Sequence, residues 1–311
     1  MKIIKIRHPY NPADIPTEEV VLVLGFFDGV HRGHQKVIKT GKAVAKEKGL
    51  KLAVMTFTNH PSIVFHKVGA SEMQYLTTLP QKEALMEWLG VDYLYEVEFT
   101  STFAHLSPQT FVDQYIVGLH AQVAVSGFDY TYGPREIADV AHLPEYAKGR
   151  FEIVTVEKES DEGAKISSSR IRELLAEGNM EEANHLLGYP YTVSGLVIHG
   201  EARGRLLGYP TANVNFSRYA RLPMEGVYVC QLQVGDTWYE AMGSIGHNDT
   251  FGEGRQLTME INILDFHEEI YGETVNVRWL HLIRNQVKFN SAEELIDRLK
   301  QDEEETRAYF A

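Results

Sequence analysis

Hydrophobic and polar positions follow two different patterns along this chain. In the first half, short apolar runs typical of buried strands alternate with segments whose apolar residues recur at helical spacing. The apolar runs are residues 20–26, 51–57, 92–97, 122–126 and 151–156, and the helical patterns lie near 33–48, 80–89 and 107–119. This order predicts an α/β domain with a parallel sheet, which binds ligands beyond the carboxyl ends of its strands.

The second half lacks this alternation. A helix-like segment ends at Gly188 and Pro190, and the strand-like runs that follow are residues 192–199, 226–234, 238–245, 257–263 and 274–282. Successive strands without helices between them predict a small antiparallel β-barrel. A final helix is expected after Ser291, which can cap it, with the acidic run 302–305 as a solvated face. We therefore expect two domains, residues 1–186 and 187–311.

Composition narrows the classes of partner. The formal net charge of −13 argues against nucleic acid as the main partner, because that binding depends on clustered Lys and Arg. The single cysteine excludes an internal disulfide framework and fits a reducing compartment. No signal peptide and no apolar run that could span a bilayer are apparent. We expect a cytoplasmic protein without a membrane partner, either a monomer or a weak homo-oligomer.

The turn with the sequence GFFDGVHRGH holds the first candidate site. It joins an apolar strand to a helix-like segment, where unpaired N–H groups and the helix dipole favour an anion. Gly25, Gly29 and Gly33 let a polyphosphate lie against the main chain. His31 and His34, three residues apart, face the same anion. The turn therefore predicts a phosphate site with histidines that stabilise charge on phosphorus.

Two other interpretations of the histidines remain open. A His-x-x-His pair can be half of a zinc site, although such a site needs more ligands and Cys230 is distant in sequence. The histidines can also lie on the surface without a role, which leaves the three glycines unexplained.

Several blocks also carry a family resemblance. The GFFDGVHRGH turn resembles the first signature of the bacterial bifunctional riboflavin kinase/FMN adenylyltransferases, or FAD synthetases. Residues 56–61, 126–133 and 165–172 are similar to later signatures of that family, in the same order. The resemblance implies a nucleotidyltransferase-like, Rossmann-like first domain that transfers AMP from ATP to FMN, with His31 and His34 as catalytic residues.

The resemblance also assigns binding residues in the first domain. The ATP and phosphate contacts are Gly25, Phe27, Asp28, Gly29, Gly33, Ser167, Ser168, Ser169 and Arg172. The flavin contacts are Asn59, Asp129 and Tyr130. Asn59, Tyr130 and Ser169 depart from the usual family residues, which affects ligand placement more than the chemistry. The serines can alternatively do no more than cap a helix, although nearby basic residues favour phosphate contacts.

The second candidate site is the glycine- and arginine-rich stretch 200–213. Its glycines suit a mobile loop, its arginines can meet phosphate, and Thr211 and Asn213 offer oxygen ligands to a hard cation such as Mg²⁺. From the residues alone, the stretch can equally be a barrel corner with a turn.

This stretch resembles the riboflavin kinase signature, from which Ala202 and Tyr209 depart. The resemblance implies that Thr211 and Asn213 hold Mg²⁺-ATP and that Glu260 is the catalytic base. The further residues that it assigns are Gly204, Arg205 and Gly208 at the phosphates and Arg284 at the flavin. A base suits the poorly nucleophilic alcohol of riboflavin. The phosphate of FMN is already anionic at neutral pH and needs none.

These features predict a bifunctional transferase that uses Mg²⁺ and ATP to phosphorylate riboflavin in the second domain and to adenylylate FMN to FAD in the first. Ser244, Asp249 and Asn262 depart from the family pattern around the kinase site. They leave open a monofunctional FMN adenylyltransferase with a weakened kinase domain. A flavin-binding regulatory protein is the third interpretation, which the presence of Glu260 disfavours because binding alone needs no base.

Overall fold

The computed structural model describes residues 1–67, 69, 73–161, 163–200, 203–247 and 257–311. By its internal contacts, the chain divides into two compact units, Met1–Ser168 and Ser169–Ala311. None of the helices in the described segments is both long and apolar enough to cross a membrane.

A parallel sheet forms the centre of the first unit. Its strands are β1 (Lys2–Ile6), β2 (Val20–Leu24), β3 (Lys51–Phe57), β4 (Tyr93–Val97), β5 (Ala121–Gly127) and β6 (Glu152–Val156). They lie in the order β1-β4-β3-β2-β5-β6, and each neighbouring pair is parallel. A short antiparallel pair, β7 (Ser160–Asp161) and β8 (Ala164–Lys165), follows the sheet. The predicted α/β domain is confirmed.

Helices connect these strands. They are α1 (Arg32–Lys48), α2 (Ser62–Phe65), α3 (Leu79–Trp88), α4 (Ser101–Ala104), α5 (Pro108–Val112) and α6 (Leu143–Ala147). The predicted helix 107–119 is divided, because α5 passes into a π-helical segment, Asp113–Val117. Strand β1, which the sequence did not predict, is an edge strand that pairs with β4.

Burial on both faces of the sheet explains the continuous apolar run in β2. Val20, Leu22 and Leu24 pack into one core cluster, which includes residues of α5 and α6. Val21 and Val23 pack into a second cluster, which includes residues of α1 and α3. Because successive side chains of a strand point to opposite faces, both sets must be apolar here.

The second unit contains an antiparallel barrel. Two helices precede the barrel: α7 (Ser168–Glu177), which begins where the two units divide, and α8 (Met180–Leu187). Its strands are β9 (Tyr191–Ile198), β10 (Ala212–Phe216), β11 (Gly226–Val234), β12 (Thr237–Gly246), β13 (Thr258–Ile263) and β14 (Thr274–Asn285). In the described part of the unit, they close in the order β10-β13-β12-β11-β14-β9. The predicted barrel is confirmed. Strand β10 is an addition, and α9 (Arg203–Leu206) precedes it.

The C-terminal helix α10 (Ala292–Phe310) begins as predicted. The Ser291 hydroxyl accepts a hydrogen bond from the Glu294 amide at 3.1 Å, and the Glu294 carboxylate accepts one from the Asn290 amide at 3.0 Å. The expectation of a solvated acidic face is wrong for Asp302. This carboxylate is fully buried and binds two arginines, so it anchors the helix instead of facing water.

Candidate active sites

The loop between β2 and α1 has an unusual backbone. Phe27, Gly29 and Val30 have positive φ angles of 55°, 82° and 37°. A positive φ is strained for non-glycine residues, especially for the β-branched Val30, and costs on the order of 1–3 kcal/mol each. Such a conformation persists only where surrounding contacts impose it.

Side chains from several elements hold this loop. The Asp28 carboxylate, predicted to contact phosphate, accepts hydrogen bonds from the amides of Leu76 and Thr77 at 2.9 and 3.3 Å. The Thr77 hydroxyl accepts one from the Gly29 amide at 3.0 Å. The Ser168 hydroxyl donates to the Asp28 carbonyl at 2.9 Å. Asp28 and Ser168 therefore fix the shape of the loop.

Two of the predicted glycines leave little room for any side chain. A Cβ atom at Gly25 would lie 2.5 Å from the ring of Phe27, and one at Gly33 would lie 3.2 Å from the ring of His31. The Gly25 amide, directly after β2, donates a hydrogen bond to the Met55 carbonyl of the neighbouring strand β3 at 3.2 Å. These glycines let the backbone approach the aromatic rings of the motif.

The histidine pair is assembled at the start of α1. His31 is the N-cap residue, and its Nδ1 accepts a hydrogen bond from the His34 amide at 3.3 Å. The two rings stack with their centroids 3.6 Å apart and an interplanar angle of 18°. Because Nδ1 accepts, the ring proton of neutral His31 is assigned to Nε2, which is then a donor.

Both histidines are neutral at physiological pH. Burial lowers the pKa of His31 to about 4, and the charge of Lys165 acts in the same direction. Burial also holds the pKa of His34 well below its usual range, and the neighbouring His31 adds to this effect. The buried Nδ1 atom of His34 has no hydrogen-bond partner among the residues that the structure describes. The pair can therefore offer hydrogen bonds to an anion without carrying a positive charge beforehand.

The predicted flavin residues follow β3 and β5. Asn59 is exposed after β3. The exposed Asp129 forms an ion pair with Lys165 at 2.5 Å, and Lys165 also lies 5.0 Å from the ring centroid of Phe128. Tyr130 is half-buried, and burial raises the pKa of its phenol. These residues present polar and aromatic groups at the carboxyl ends of the parallel strands.

The sequence missed a group of rings at the same sheet edge. The Phe26 ring makes edge-to-face contacts with His60 and Tyr75, with centroids 4.9 and 5.9 Å away. The signal was present, because Phe26 lies inside the glycine motif and His60 lies beside Asn59. The sequence could not show that Tyr75 approaches them.

Three predicted phosphate residues surround the start of α7. Ser167 immediately precedes the helix. Ser169 and Arg172 lie within α7, in the second unit. Their phosphate-binding roles remain predictions.

In the barrel, adjacent strands bring three predicted kinase residues together. The Thr211 hydroxyl donates a hydrogen bond to the Glu260 carboxylate at 3.2 Å. Asn213 on β10 pairs directly with Glu260 on β13. A Cβ atom at Gly200 would lie 2.3 Å from the Asn213 amide, so this glycine gives the amide its space.

These oxygen groups fit a magnesium ion that phosphate oxygens help to coordinate. Hydroxyl, amide and carboxylate oxygens are hard ligands, and Mg²⁺ in nucleotide sites uses few protein ligands besides the phosphates. Among the described residues, there is no group of three or more His, Cys, Asp or Glu side chains that could hold a metal ion by itself. Thr211 and Asn213 would hold Mg²⁺ only together with the nucleotide.

Within the glycine- and arginine-rich stretch, residues 204–209 form a tight turn before β10. The Tyr209 amide donates to the Gly204 carbonyl at 2.8 Å, and a Cβ atom at Gly204 would lie 2.2 Å from the Tyr209 carbonyl oxygen. Gly208 has a φ of 85°, which favours glycine. Arg205 is exposed and accessible to a phosphate.

Two of the three departures from the kinase pattern have partners that the sequence did not reveal. The Asn262 amide donates to the Pro210 carbonyl at 2.8 Å, next to Thr211. The Ser244 hydroxyl accepts from the Gln286 amide at 2.9 Å. Asp249 lies outside the described residues.

Arg284, the predicted flavin contact, is held by the C-terminal helix. Its guanidinium donates to the Asp302 carboxylate through Nε at 3.0 Å and through Nη2 at 2.7 Å. It also lies 5.6 Å from the ring centroid of Phe289. The structure therefore gives Arg284 an anchoring contact, and its flavin contact remains a prediction.

Comparison with known proteins identifies the family. A model described as FAD synthetase matches residues 14–170, and one described as riboflavin kinase matches residues 187–310. The chain is 47% identical to the bifunctional riboflavin kinase/FMN adenylyltransferase of Listeria monocytogenes serovar 1/2a, over 100% of this chain and 99% of that protein. The chain belongs to the bifunctional riboflavin kinase/FMN adenylyltransferase family.

Other relatives agree in length and fold. The Bacillus subtilis protein of the same name is 44% identical over 100% of this chain and 99% of its own length. A crystal structure described as a macrolide-efflux protein from Streptococcus pneumoniae is 40% identical, with a TM-score of 0.89 over 98% of this chain and 99% of that one. This likeness extends through both units, although the description differs from the family name.

Proposed function

We propose that this chain is a bifunctional flavin transferase. Residues 187–311 phosphorylate riboflavin to FMN, residues 1–186 adenylylate FMN to FAD, and both reactions use Mg²⁺-ATP in the cytoplasm. The observation that carries the proposal is the match of both family models to consecutive parts of one chain. The histidine pair and the Thr211–Glu260 contact supply groups suited to the two reactions.

In the kinase reaction, Glu260 accepts the proton of the riboflavin primary alcohol. The alcohol oxygen then forms a bond to the γ-phosphorus of ATP while the bond from that phosphorus to ADP breaks. A positioned base contributes about 10²–10⁴-fold. Thr211 orients the Glu260 carboxylate by its 3.2 Å hydrogen bond. When bound with ATP, Mg²⁺ supplies charge neutralisation at the phosphates, and Thr211 and Asn213 would hold it.

In the adenylyl transfer, no proton has to be removed. A phosphate oxygen of FMN forms a bond to the α-phosphorus of ATP, and the bond from that phosphorus to the departing pyrophosphate breaks. Nε2–H of His31 donates to an oxygen of the α-phosphate as negative charge grows there. The strained loop keeps the histidine pair in place before the substrates arrive, so little reorganisation is needed.

The test is a chromatographic assay of the full chain with Mg²⁺-ATP, started once from riboflavin and once from FMN. Formation of FAD and pyrophosphate from FMN, and of FMN followed by FAD from riboflavin, is the expected result. FAD from FMN alone would select a monofunctional adenylyltransferase. Tight flavin binding without consumption of ATP would select a regulatory protein.

A further inference from the structure

Lys82 is a buried lysine without an assigned role. It lies in the first turns of α3 with 3% of its surface exposed, one helical turn before the fully buried Met86. Burying an ammonium group is unfavourable unless it is paired or hydrogen-bonded. A methionine would fill a similar volume without that cost, so packing alone does not account for a lysine.

The ammonium group of Lys82 is bonded to the start of the strained loop. Its Nζ donates to the Phe26 carbonyl at 2.8 Å and to the Thr56 hydroxyl at 3.3 Å. The Thr56 hydroxyl also donates to the Phe26 carbonyl at 2.8 Å. The carbonyl oxygen therefore receives two hydrogen bonds, which fix the peptide that leads into Phe27. Phe27 is the first residue of the loop with a positive φ.

The same ammonium group contributes charge near the histidine pair. It lies 4.3 Å from the ring centroid of Phe26, a favourable cation–π distance. Its charge contributes to the lowered pKa of His34, so it acts on the catalytic motif. Burial lowers the pKa of Lys82 to about 8, while the carboxylates of Asp28 and Glu96 oppose this, so Lys82 remains mainly protonated at pH 7.

Two carboxylates, Asp28 and Glu96, lie near this ammonium group. Glu96 is completely buried near the end of β4, and burial together with the neighbouring Glu83 carboxylate raises its pKa. Its neutral, protonated form is therefore favoured by the surroundings. Asp28 binds the amides of Leu76 and Thr77. The Lys82 ammonium group thus lies close to the predicted phosphate site, with the Asp28 carboxylate near it.

We propose that Lys82 is a positioning residue of the adenylyltransferase site, which holds the Phe26 carbonyl so that the strained loop and histidine pair are fixed for adenylyl transfer. Its ammonium group also favours the negative charge that develops on the α-phosphate. This inference rests on the proposed function, because it assigns Lys82 to the reaction of FMN with ATP.

The test compares three substitutions in the full chain. Lys82→Met removes both the donor and the charge, Lys82→Gln keeps a donor, and Lys82→Arg keeps the charge. The control is Lys42→Met, because Lys42 also donates to a backbone carbonyl, that of Leu89 at 2.8 Å, but is exposed and lies away from the loop. The kcat and KM of FAD formation from FMN are measured together with the stoichiometry of nucleotide binding by calorimetry.

We expect Lys82→Met to lower kcat on the order of 10²-fold, as displaced catalytic groups do. The KM for ATP should change little and the binding stoichiometry should equal that of the wild type, because the loss concerns the transition state. Lys82→Gln should lose less, Lys82→Arg should recover most of the rate, and Lys42→Met should match the wild type. Riboflavin phosphorylation by the same samples should not change.

Two results would overturn the inference while the proposed function stands. The first is that Lys82→Met has the kcat of the wild type. The second is that, in all three variants, kcat falls only as much as the fraction of protein that binds nucleotide, because this result indicates that part of the protein is unfolded. A wild-type chain that forms no FAD from FMN overturns the proposed function, and this inference with it.

Discussion

If the histidine pair is catalytic, as proposed, it acts in its neutral form. Burial keeps the pKa of His31 near 4, so it does not meet ATP as a cation. A neutral imidazole still donates from Nε2, and the capping bond from the His34 amide to Nδ1 determines which nitrogen is the donor. In the proposed mechanism, the strained loop supplies the orientation and Lys82 the positive charge that neutral imidazoles lack.

The lowered pKa of His31 predicts a pH-dependent stability. Between pH 6.5 and about 4, the unfolded chain binds a proton at this residue more readily than the folded chain does, so stability falls as the pH decreases through that window. The shift corresponds to about 3 kcal/mol. His31→Asn keeps a side chain that can cap α1 but cannot titrate, so its stability should fall less.

Hydrogen exchange of the β2 amides at pH 7 and pH 4.5 measures this difference within the first unit. The wild type should lose more protection than His31→Asn between the two pH values. An equal loss in both proteins would show that His31 does not carry the effect.

The position of Asn262 in the barrel predicts a role in riboflavin phosphorylation. It is buried, and its amide holds the Pro210 carbonyl beside Thr211. Asn262→Ala should raise the KM for Mg²⁺-ATP and lower kcat in riboflavin phosphorylation on the order of tenfold. The substitution removes a hydrogen bond worth about 1 kcal/mol, and the segment at Pro210 and Thr211 is then no longer held in position. FAD formation from FMN should remain unchanged.

Asn276→Ala is the matched control, because the Asn276 amide lies on another barrel strand and bonds to Gln233 at 3.0 Å. Steady-state kinetics of both reactions should separate the two variants. If Asn276→Ala impairs the kinase as much as Asn262→Ala does, a general weakening of the barrel explains both.

Single residues also show where sequence reasoning ends. The glycines, the histidines and Thr211 were found because their types and spacing indicate a chemistry, whereas Glu260 was assigned only by the family resemblance. The contact from Asp28 to Leu76 and Thr77 spans almost fifty positions, and no local pattern reveals it. Lys82 did give a signal, because it shares a helical face with the apolar Met86.

At the level of elements, helix α10 is fastened by one buried carboxylate. Asp302 is completely buried and binds Arg284 on β14 as well as Arg298 on its own helix. Removing one member of a buried ion pair leaves uncompensated charge and typically costs about 3–5 kcal/mol. Asp302→Asn should therefore lower the free energy of unfolding of the barrel unit by about that amount.

The control is Asp265→Asn, which removes an exposed ion pair between the barrel and Arg307 of the same helix. Such pairs contribute about 0–1 kcal/mol. Hydrogen exchange of the β11 and β14 amides reports the stability of the barrel in both variants. Comparable losses would contradict the anchoring role of Asp302.

The strands whose bounds were predicted well are those buried on both faces of the sheet, because such strands have long apolar runs. β2, β3 and β5 are buried on both faces, and their predicted bounds differ from the observed ones by two residues at most. β1 is a short edge strand in which Ile4 and Ile6 alone are buried, so its pattern is weak. β10 is rich in asparagine and follows a Gly-Tyr-Pro turn, so its sequence indicates a loop.

At the scale of the whole molecule, two catalytic strategies are separated along one chain. The alcohol of riboflavin needs a base, and in the proposed mechanism Glu260, which accepts a hydrogen bond from Thr211 in the barrel, is that base. The phosphate of FMN needs orientation and charge stabilisation, which we propose the loop, the histidine pair and Lys82 supply in the α/β unit. With a net charge of −13, the chain must attract ATP through such local groups, since its overall field repels anions.

The sequence predicted two domains from the change of hydrophobic pattern near residue 187. This change can be recognised because helices that alternate with strands leave a local pattern in the sequence. It could not predict how loops fold around each site, since that depends on contacts between distant segments. The boundary between domains at residue 187 also remains a prediction. The family models cover residues 14–170 and 187–310, while the compact units meet at Ser168 and Ser169.

The most direct test of two separate sites measures Glu260→Gln and His31→Asn in both reactions of the full chain. Glu260→Gln should lower FMN formation from riboflavin by about 10²–10⁴-fold and leave FAD formation from FMN unchanged. His31→Asn should lower FAD formation from FMN by about 10²–10³-fold and leave riboflavin phosphorylation unchanged. An equal loss of both reactions in either variant would contradict the assignment of one chemistry to each domain.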